Sequence, residues 1–467
     1  MVICAAGFHE ILSLAVESRC LEVIVIMPSH SRYSPQPQLP FFGLSLALSV
    51  TVLAGCSASP PPGEGENPGE SENTGQITVL GSIAGDGIAQ LEQMFEPFET
   101  ATGIDVVYEG TDAFATILPL RVTAGGPPDL ALFPQPGLMA TLARQGDLLP
   151  LNDRIDSEAI EAAFSPDWLE LGSIDGQLYG LWVRADLKSL VWYRPPVFAE
   201  KGYAIPQTWD ELLALSQRIV DDGGVPWCIG LESGEASGWV GTDWMEDIML
   251  RTAGVAGYDR WVNHEIPFTD PTVKRTLDLF GQVILNPEFV RGGTVGAIST
   301  SFSDAPNPLF DQEPGCYLHR QSSFIASFLP DNIDPDTDVA AFVFPPIDPE
   351  QGNPILVGGV AMGMFSDRPE VREFMTYLTT PQPHEIWASF GGYLSPHQGV
   401  DLSIYPNALS RAQVEILRNA DAIRFDASDM MPSEVGTGSF WSGMVNYVSG
   451  VDGETVLEEI EASWPKQ

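Results

Sequence analysis

Between residues 77 and 133 short apolar runs alternate with helical patterning, and this alternation constrains the fold more than any other feature of the chain. Ile77 to Leu80 reads as a strand. After the glycine-rich turn Gly81 to Gly87, residues Ile88, Leu91, Met94, Phe95 and Phe98 fall at helical spacing, and Gly103 closes that helix. Ile104 to Tyr108 is a second strand. Leu118 to Val122 continues a helical stretch that Pro127-Pro128 breaks, and Asp129 to Phe133 is a third strand entered from a turn. Strands separated by helices pair in parallel beneath a helical cover, which makes the chain α/β. In such sheets ligands bind beyond the carboxyl ends of the strands. The loops Gly81 to Gly87, Glu109 to Thr111 and Pro134 to Gly137 all lie at such ends. Leu187 to Tyr193 is a further strand, and Pro206 to Leu212 starts a helix with Thr208 as N-cap and Glu211 at the capping-box position. A second lobe begins about here.

The front end does not belong to this pattern. Residues Phe41 to Ala54 form an apolar run too short to span a bilayer comfortably, preceded by a proline-bearing stretch with Arg32 and followed by Leu53-Ala54-Gly55-Cys56. This reads as a signal peptide whose end resembles the bacterial lipobox, which implies that Cys56 becomes the acylated first residue of an exported, lipid-anchored protein. The 26 residues before Met27 would lengthen the leader unusually, so translation is expected to start at Met27. Residues 57–76 contain Pro, Gly, Glu, Ser and Asn with no large apolar side chain, and such a segment is expected to be a solvated tether. With residues 1–55 as leader and 56–76 as lipidated cysteine and tether, the remainder is long enough for two domains.

With Cys4 and Cys20 ahead of the expected start and Cys56 acylated, Cys228 and Cys316 remain, and an even count in an exported protein favours a disulfide. No zinc ligand set surrounds either cysteine, and no metal or cofactor is expected. The chain carries 22 basic against 63 acidic residues, a field that repels nucleic acid and anionic lipid surfaces. Phosphate-loop, nucleophile-elbow and His-Glu-x-x-His motifs are absent from the sequence.

Taken in order, several segments resemble the extracellular solute-binding proteins of ABC sugar importers, the family-1 group that includes the maltose-binding type. Phe95 to Glu109, Gly125 to Leu130, Lys188 to Pro195 and the Pro206 to Leu212 helix start carry the general likeness. A closer likeness to the α-glucoside-binding members rests on Pro134-Gln-Pro-Gly137, Pro226-Trp-Cys228, Gly238 to Trp244 with Glu246-Asp247, Tyr258 to Trp261 and Cys316 to Gln321. The resemblance implies a hinged type II periplasmic-binding fold of two lobes, each a mainly parallel sheet flanked by helices. Lobe 1 would take 77–190 plus 341–395, and lobe 2 would take 191–340 plus 396–467. Crossings are expected near Lys188 to Arg194, Ala341 to Pro346 and Gly391 to Pro396. It implies a monomer that traps a small α-glucoside and delivers it to the transmembrane permease, while a separate ATPase supplies the energy. It also implies that the chain is not an enzyme.

A sugar offers apolar C–H faces and a rim of hydroxyls, so its site needs aromatic platforms edged by hydrogen-bonding groups. Trp239, Asp243 and Trp244 supply that combination within seven residues, the alternative being core tryptophans around a helix cap. Phe133, Gln135 and Pro136 match cleft positions at a strand end. Asp86 matches a polar cleft position or caps the helix that follows it. His319, Arg320 and Gln321 stand where the family lays a cleft aromatic, so hydrogen bonding is their expected role. Trp441 matches a stacking tryptophan of the second lobe. Gly358 and Gly359 let the backbone approach ligand or mark a strand bulge. Trp182 and Arg184, just before the first crossing, are further candidates. An exported glycoside hydrolase is the rival reading, because Asp243, Glu246 and Asp247 set carboxylates beside tryptophans. The same fold carrying a polyamine, metal chelate or peptide is a third.

Overall fold

The computed structural model describes residues 75–466. Met27, Cys56 and the leader lie outside the described residues, as do the tether up to residue 74 and the side chain of Asp86. The first strand, β1 (Gln76–Gly81), lies between β2 (Asp105–Gly110) and β3 (Leu130–Phe133), parallel to both. Helices α1 (Asp86–Thr102) and α2 (Phe114–Thr123) connect them, and α3 (Pro136–Gln145) follows β3. Gly103 ends α1 in the left-handed region at φ 74°, where its N–H reaches the Glu99 carbonyl. The expected strand, helix, strand, helix, strand order is present, with α1 beginning at Asp86.

A hairpin of β4 (Ser173–Ile174) and β5 (Gln177–Leu178) precedes β6 (Gly180–Leu187) and β7 (Leu190–Tyr193). The remaining strands are β8 (His319–Arg320), β9 (Ala340–Val343), β10 (Ile355–Met364) and β11 (Ile423–Phe425). One edge of β10 pairs antiparallel with β6, while the other pairs antiparallel with β3 and parallel with β11. Phe133 lies opposite Ala361 and Phe425 opposite Val357, so β3 and β11 point at each other and stop on either side of Gly358–Val360. Both chains must leave the sheet at that gap. They do so through α3 and the short helix Ala427–Met430, which pack together so closely that a Cβ on Gly137 would clash with the Met431 carbonyl.

The second sheet is β8-β7-β9, with both pairings antiparallel. Among the described residues the parallel pairing expected in this lobe is confined to isolated bridges of Trp227 with Val290 and Leu318 and of Glu232 with Ser301. Apolar side chains gather in two clusters. The first contains Leu80, Phe95, Leu132, Val360 and Phe374, and the second contains Leu212, Trp227, Trp244, Phe280 and Met444. The chain passes between them along 188–193, where Leu190 and Trp192 still pack in the first cluster and Val191 in the second, then after β9, and at Asp426. The last passage differs from the expected crossing at Gly391 to Pro396, because Leu394 exchanges backbone hydrogen bonds with Ala185 of β6. Val400, Tyr405, Leu409, Val414 and Phe425 also bury their side chains in the first cluster, so packing assigns residues 400–425 to the first lobe. Ile325 and Val339 join them there, inside the segment expected in lobe 2.

Thr208 caps the Trp209–Asp221 helix by accepting from the Glu211 N–H, as the sequence predicts, while Glu211 reaches back one residue beyond the cap and accepts from the Gln207 N–H. Cys228 and Cys316 come together with Cα atoms 5.6 Å apart, within reach of a disulfide. Among the described residues no helix is long and apolar enough to cross a membrane.

Three histidines are buried as neutral rings. His384 donates from Nε2 to the Leu378 carbonyl at 3.0 Å, beside His397, which donates to the Thr379 carbonyl at 3.1 Å. Burial, with the adjoining His397 ring opposing a proton on both, pulls His384 down to about 3, and burial pulls His319 down to about 4. The unfolded chain takes up these protons near pH 6.5 and the folded chain does not. Their stability contribution is therefore complete above about pH 6.5 and is lost progressively as pH falls toward 4. We expect the urea midpoint of His384→Gln to gain on that of wild type as pH falls from 7.5 to 5, because only wild type loses this histidine's contribution; a constant difference between the two proteins would remove His384 from this role.

Candidate functional site

The carboxyl ends of β1, β2 and β3 open on one side of the first sheet, where the rules for α/β sheets place a ligand crevice. Strand β6 extends that side. Its register with β10 sets Trp182 level with Phe133, so Arg184, Asp186 and Lys188 stand on the same face beyond the end of β3. Across the crevice, helix Trp239–Thr252 of the second lobe begins at Gly238, whose φ of 110° lets it pass the Trp441 carbonyl at a distance that excludes any side chain. At the rim, Asp112 of the loop after β2 lies against Gly234 of the second lobe.

Aromatic rings of both lobes gather here. Trp239 is half-buried with ring centroids 5.3 Å from Phe302 and 5.9 Å from Phe324, and Lys188 Nζ stands 5.6 Å from its own centroid. The Arg184 guanidinium lies 5.1 Å from the Tyr393 centroid and 5.8 Å from those of Phe324 and Trp387. Arg184 also donates to Asp186 from two nitrogens, at 3.0 and 2.7 Å.

Below these faces lies a buried ionic network joining the lobes. Lys188 Nζ donates to Asp243 at 2.9 Å and to Asp426. Arg320 donates to the other oxygen of Asp243 at 3.0 Å and to Asp247 at 2.6 Å, and Arg251 donates to Asp247 at 2.6 Å. Ser189 donates to Asp247, and the Ser428 N–H to Glu246 at 3.0 Å. Burial pulls the Lys188 ammonium toward neutrality, but Asp243 and Asp426 outweigh it and hold the group charged. Burial likewise opposes ionisation of Asp426, yet Lys188 brings it down to about 2. Burial raises Asp243 to about 6 against the opposing pull of Lys188 and Arg320. Burial, with Asp426 as neighbour, raises Glu246 and Asp429 well above the carboxylate range. At neutral pH the ionised acids Asp243, Asp247 and Asp426 thus face Lys188, Arg251 and Arg320. Carboxylate oxygens of Asp243, Glu246 and Asp426 all lie within 4.8 Å of one another, a spacing suited to a metal, but the Lys188 ammonium already stands between Asp243 and Asp426.

The residues expected from sequence fall in three groups. Trp239 and Arg184 line the crevice. Gln135, the N-cap of α3, is 7% exposed with Oε1 unpartnered at the gap between β3 and β11, and Pro136 follows it as the first residue of α3. Asp243 and Arg320 belong to the network: both are fully buried, and both oxygens of Asp243 are taken, which corrects the expectation that one reaches ligand. Trp441 is 7% exposed and donates from its indole to Ser428, which in turn donates to Asp426.

The others are packing. Phe133 lies edge-on to Phe114, Trp182 packs between Trp168 and Phe425, and Trp244 meets Trp227, Phe280 and Phe344. His319 donates from Nδ1 to the Cys228 carbonyl, and Gln321 accepts from the Ser322 N–H. A Cβ on Gly358 would meet the Lys188 side chain and one on Gly359 the Arg184 backbone, so protein fills the space expected for ligand, and a register shift follows at Val360/Ala361. Sequence reasoning missed Asp186, Phe324, Tyr393 and Asp426. The alternation Arg184, Asp186, Lys188 at the end of an apolar strand was the available signal for Asp186; the others have no local pattern.

Removing one member of a buried ion network strands its partners. We expect Lys188→Met to cost roughly 3–5 kcal/mol of unfolding free energy by leaving Asp243 and Asp426 facing each other, and a second change, Asp426→Asn, to restore part of it. Denaturant unfolding of the two variants measures this. A loss near zero for Lys188→Met would show that the network does not hold the lobes.

Comparison with known proteins fits this architecture. Residues 84–385 match the model of the bacterial extracellular solute-binding protein family. The chain is 53% identical to the osmoprotective compounds-binding protein GgtB of Synechocystis sp., over 92% of this chain and 100% of that one. It is 41% identical to the alpha-glucosides-binding periplasmic protein AglE of Rhizobium meliloti, over 83% of this chain and 86% of the relative. Among solved structures, the solute receptor AcbH superposes with a TM-score of 0.74 at 20% identity, covering 83% of this chain and 97% of that one. Maltose-bound MalE3 of T. maritima superposes with a TM-score of 0.66 at 17% identity, covering 83% and 98%. At these identities the superpositions speak for the fold alone, and it is the two-lobe fold of these receptors. Two sheets joined by a buried ionic network, with aromatic rings gathered beside it, thus come from a chain that belongs to the bacterial extracellular solute-binding protein family.

Proposed function

We propose that this protein captures a small neutral α-glucoside of about two sugar units between its lobes and delivers it to the permease of an ABC importer, without chemically changing it. The observation that carries this reading is the composition of the crevice wall. The faces of Trp239, Phe324 and Tyr393 surround charges that are already compensated, Arg184 by Asp186 and Lys188 by Asp243 and Asp426. A wall of that kind suits apolar C–H faces with hydroxyl edges, and offers neither the excess of carboxylates that a polyamine needs nor the free His or Tyr ligands of a metal chelate. The names of the two relatives, which bind alpha-glucosides and osmoprotective compounds, point the same way.

Hydrolysis fits less well. Two carboxylates must flank a glycosidic bond, about 5–9.5 Å apart, and be free to move protons. Asp243 and Asp247 lie on one helix with their oxygens tied to Lys188, Arg320 and Arg251. Closure of the lobes on the sugar would present a joint surface to the permease, and a separate ATPase would drive uptake.

Titration with maltose, trehalose, sucrose and glucosylglycerol, followed by tryptophan emission, tests the cargo. At least one should bind, with Trp239→Ala weakening it about tenfold or more, the scale of a lost aromatic platform and its buried area. Silence toward all four overturns the α-glucoside reading, and accumulation of free monosaccharide during the incubation overturns the non-enzymatic one.

We further propose that the mature protein is exported as a monomer, anchored by acylated Cys56 and bridged between Cys228 and Cys316. The motif ending at Cys56 and the approach of the two cysteines support this. Mass spectrometry of protein from the native host should find an acylated N-terminal Cys56, and Cys228 and Cys316 should react with alkylating reagent only after reduction. An N-terminus elsewhere, or free thiols in the unfolded unreduced chain, would refute the respective part.

A further inference from the structure

The buried network beneath the crevice holds more acid than base. Asp243, Glu246, Asp247, Asp426 and Asp429 are all at least nine-tenths buried, as are Lys188, Arg251 and Arg320, the cations that face them. Full ionisation would leave two negative charges out of water without a partner, which a folded protein avoids by keeping carboxyl groups protonated. Glu246 is wholly buried and accepts from the Ser428 N–H, both of them in the second lobe. Asp429 is placed differently: at 8% it is the most exposed of the five acids, and it stands where the lobes meet.

Its helix, Ala427–Met430, follows the last crossing, and Ala427 and Met431 pack in the second core. Asp426 at the cap of that helix faces it, as do Lys188 from the first crossing and Asp243 from helix Trp239–Thr252; from the first lobe comes the Gln135 amide at the start of α3. Gln135 Oε1 is itself buried with no donor among the described residues. An ionised Asp429 has no hydrogen to give, whereas a protonated one carries the donor that this oxygen lacks, once the amide is turned to present it. Burial, then the like charges of Asp426 and Asp243, oppose ionisation of Asp429 and outweigh Lys188.

In the structure the lobes touch at the rim, Asp112 against Gly234. Parting them lets water reach the crevice end of the network, where a carboxyl regains its ordinary value near about 4 and ionises at neutral pH. We propose that Asp429 takes up a proton when the lobes close and gives it up when they part, which couples capture of the solute to one proton. The inference concerns regulation of the site described above and rests on the sugar reading for its ligand. Reciprocity fixes the sign: since the closed form holds the extra proton, falling pH favours closure and tightens binding, and rising pH releases the solute.

The test is calorimetric titration of wild type and Asp429→Asn with whichever of maltose, trehalose, sucrose and glucosylglycerol binds best, at neutral pH in phosphate and in Tris, buffers whose heats of protonation differ. Wild type should take up about one proton per sugar, read from the difference in heat between the buffers, and its affinity should fall by up to about tenfold per unit between about pH 6 and 8. Asp429→Asn, which imitates the protonated acid, should give equal binding heats once buffer protonation is subtracted as zero, and should keep its affinity across that range. Equal heats for wild type in the two buffers overturn the inference, as does the same proton uptake in Asp429→Asn. Should Asp429→Asn fail to fold, the wild-type heats decide alone. Urea unfolding tests the resident proton without sugar: Asp429→Asn should gain on wild type as pH rises from about 5.5 to 8, because only wild type gives up that proton on unfolding; a constant difference overturns the inference. Silence toward all four sugars would overturn the sugar reading and leave the proton to the urea comparison, whereas binding without proton uptake overturns the inference alone.

Discussion

Lys188 sits at the start of the crossing strand that packs against both cores, and its ammonium is shared between Asp243 of the second lobe and Asp426, where the chain crosses for the last time. Ser189, the next residue, donates to Asp247 and accepts from the Leu356 N–H of β10. Arg251 reaches the Phe344 carbonyl after β9. One helix, Trp239–Thr252, therefore grips all three crossings through buried charge, and that helix also starts the crevice wall with Trp239. Hinge and wall are built on the same element, so a small rotation of the helix that relieves one disturbs the other.

Such a cluster is tolerable only because its charges close. Lys188, Arg251 and Arg320 would face five acids if Glu246 and Asp429 were ionised, and the excess would be held out of water. Burial keeps those two acids protonated, and each still has a place in the structure: Glu246 accepts from the Ser428 N–H, and Asp429 donates its N–H to Asp426. The network thus combines ion pairs with neutral hydrogen-bonding acids, which limits the desolvation cost of joining the lobes in this way.

Sequence periodicity carried the first half of the fold because β1, α1, β2 and β3 follow one another locally, and Gly103 and Thr208 mark helix ends by their own chemistry. It could not carry the last crossing. Whether the chain leaves at Gly391 to Pro396 or at Asp426 depends on which core buries Leu394, Tyr405 and Val414, a question of tertiary packing. The crevice was half legible for a similar reason. Trp239 and Arg184 were recognisable as residue types, but Asp243 and Trp244 lie four and five positions further along the helix and face inward, and only the register of β6 against β10 singles out Asp186. The likeness of Gly238 to Trp244 to known receptors marks a segment where hinge and wall meet and does not separate the two.

The pairing of every crevice charge has a consequence for encounter. The chain as a whole carries a formal charge of −41, and a protein in that field would attract or repel any charged solute over the Debye length. A neutral solute has no net charge for this field to steer, and the paired charges inside the crevice give it no distant beacon. Its arrival is governed by diffusion and by separation of the lobes where Asp112 meets Gly234, and is therefore indifferent to ionic strength. For a receptor whose surroundings change in salt content, capture would proceed at one rate throughout.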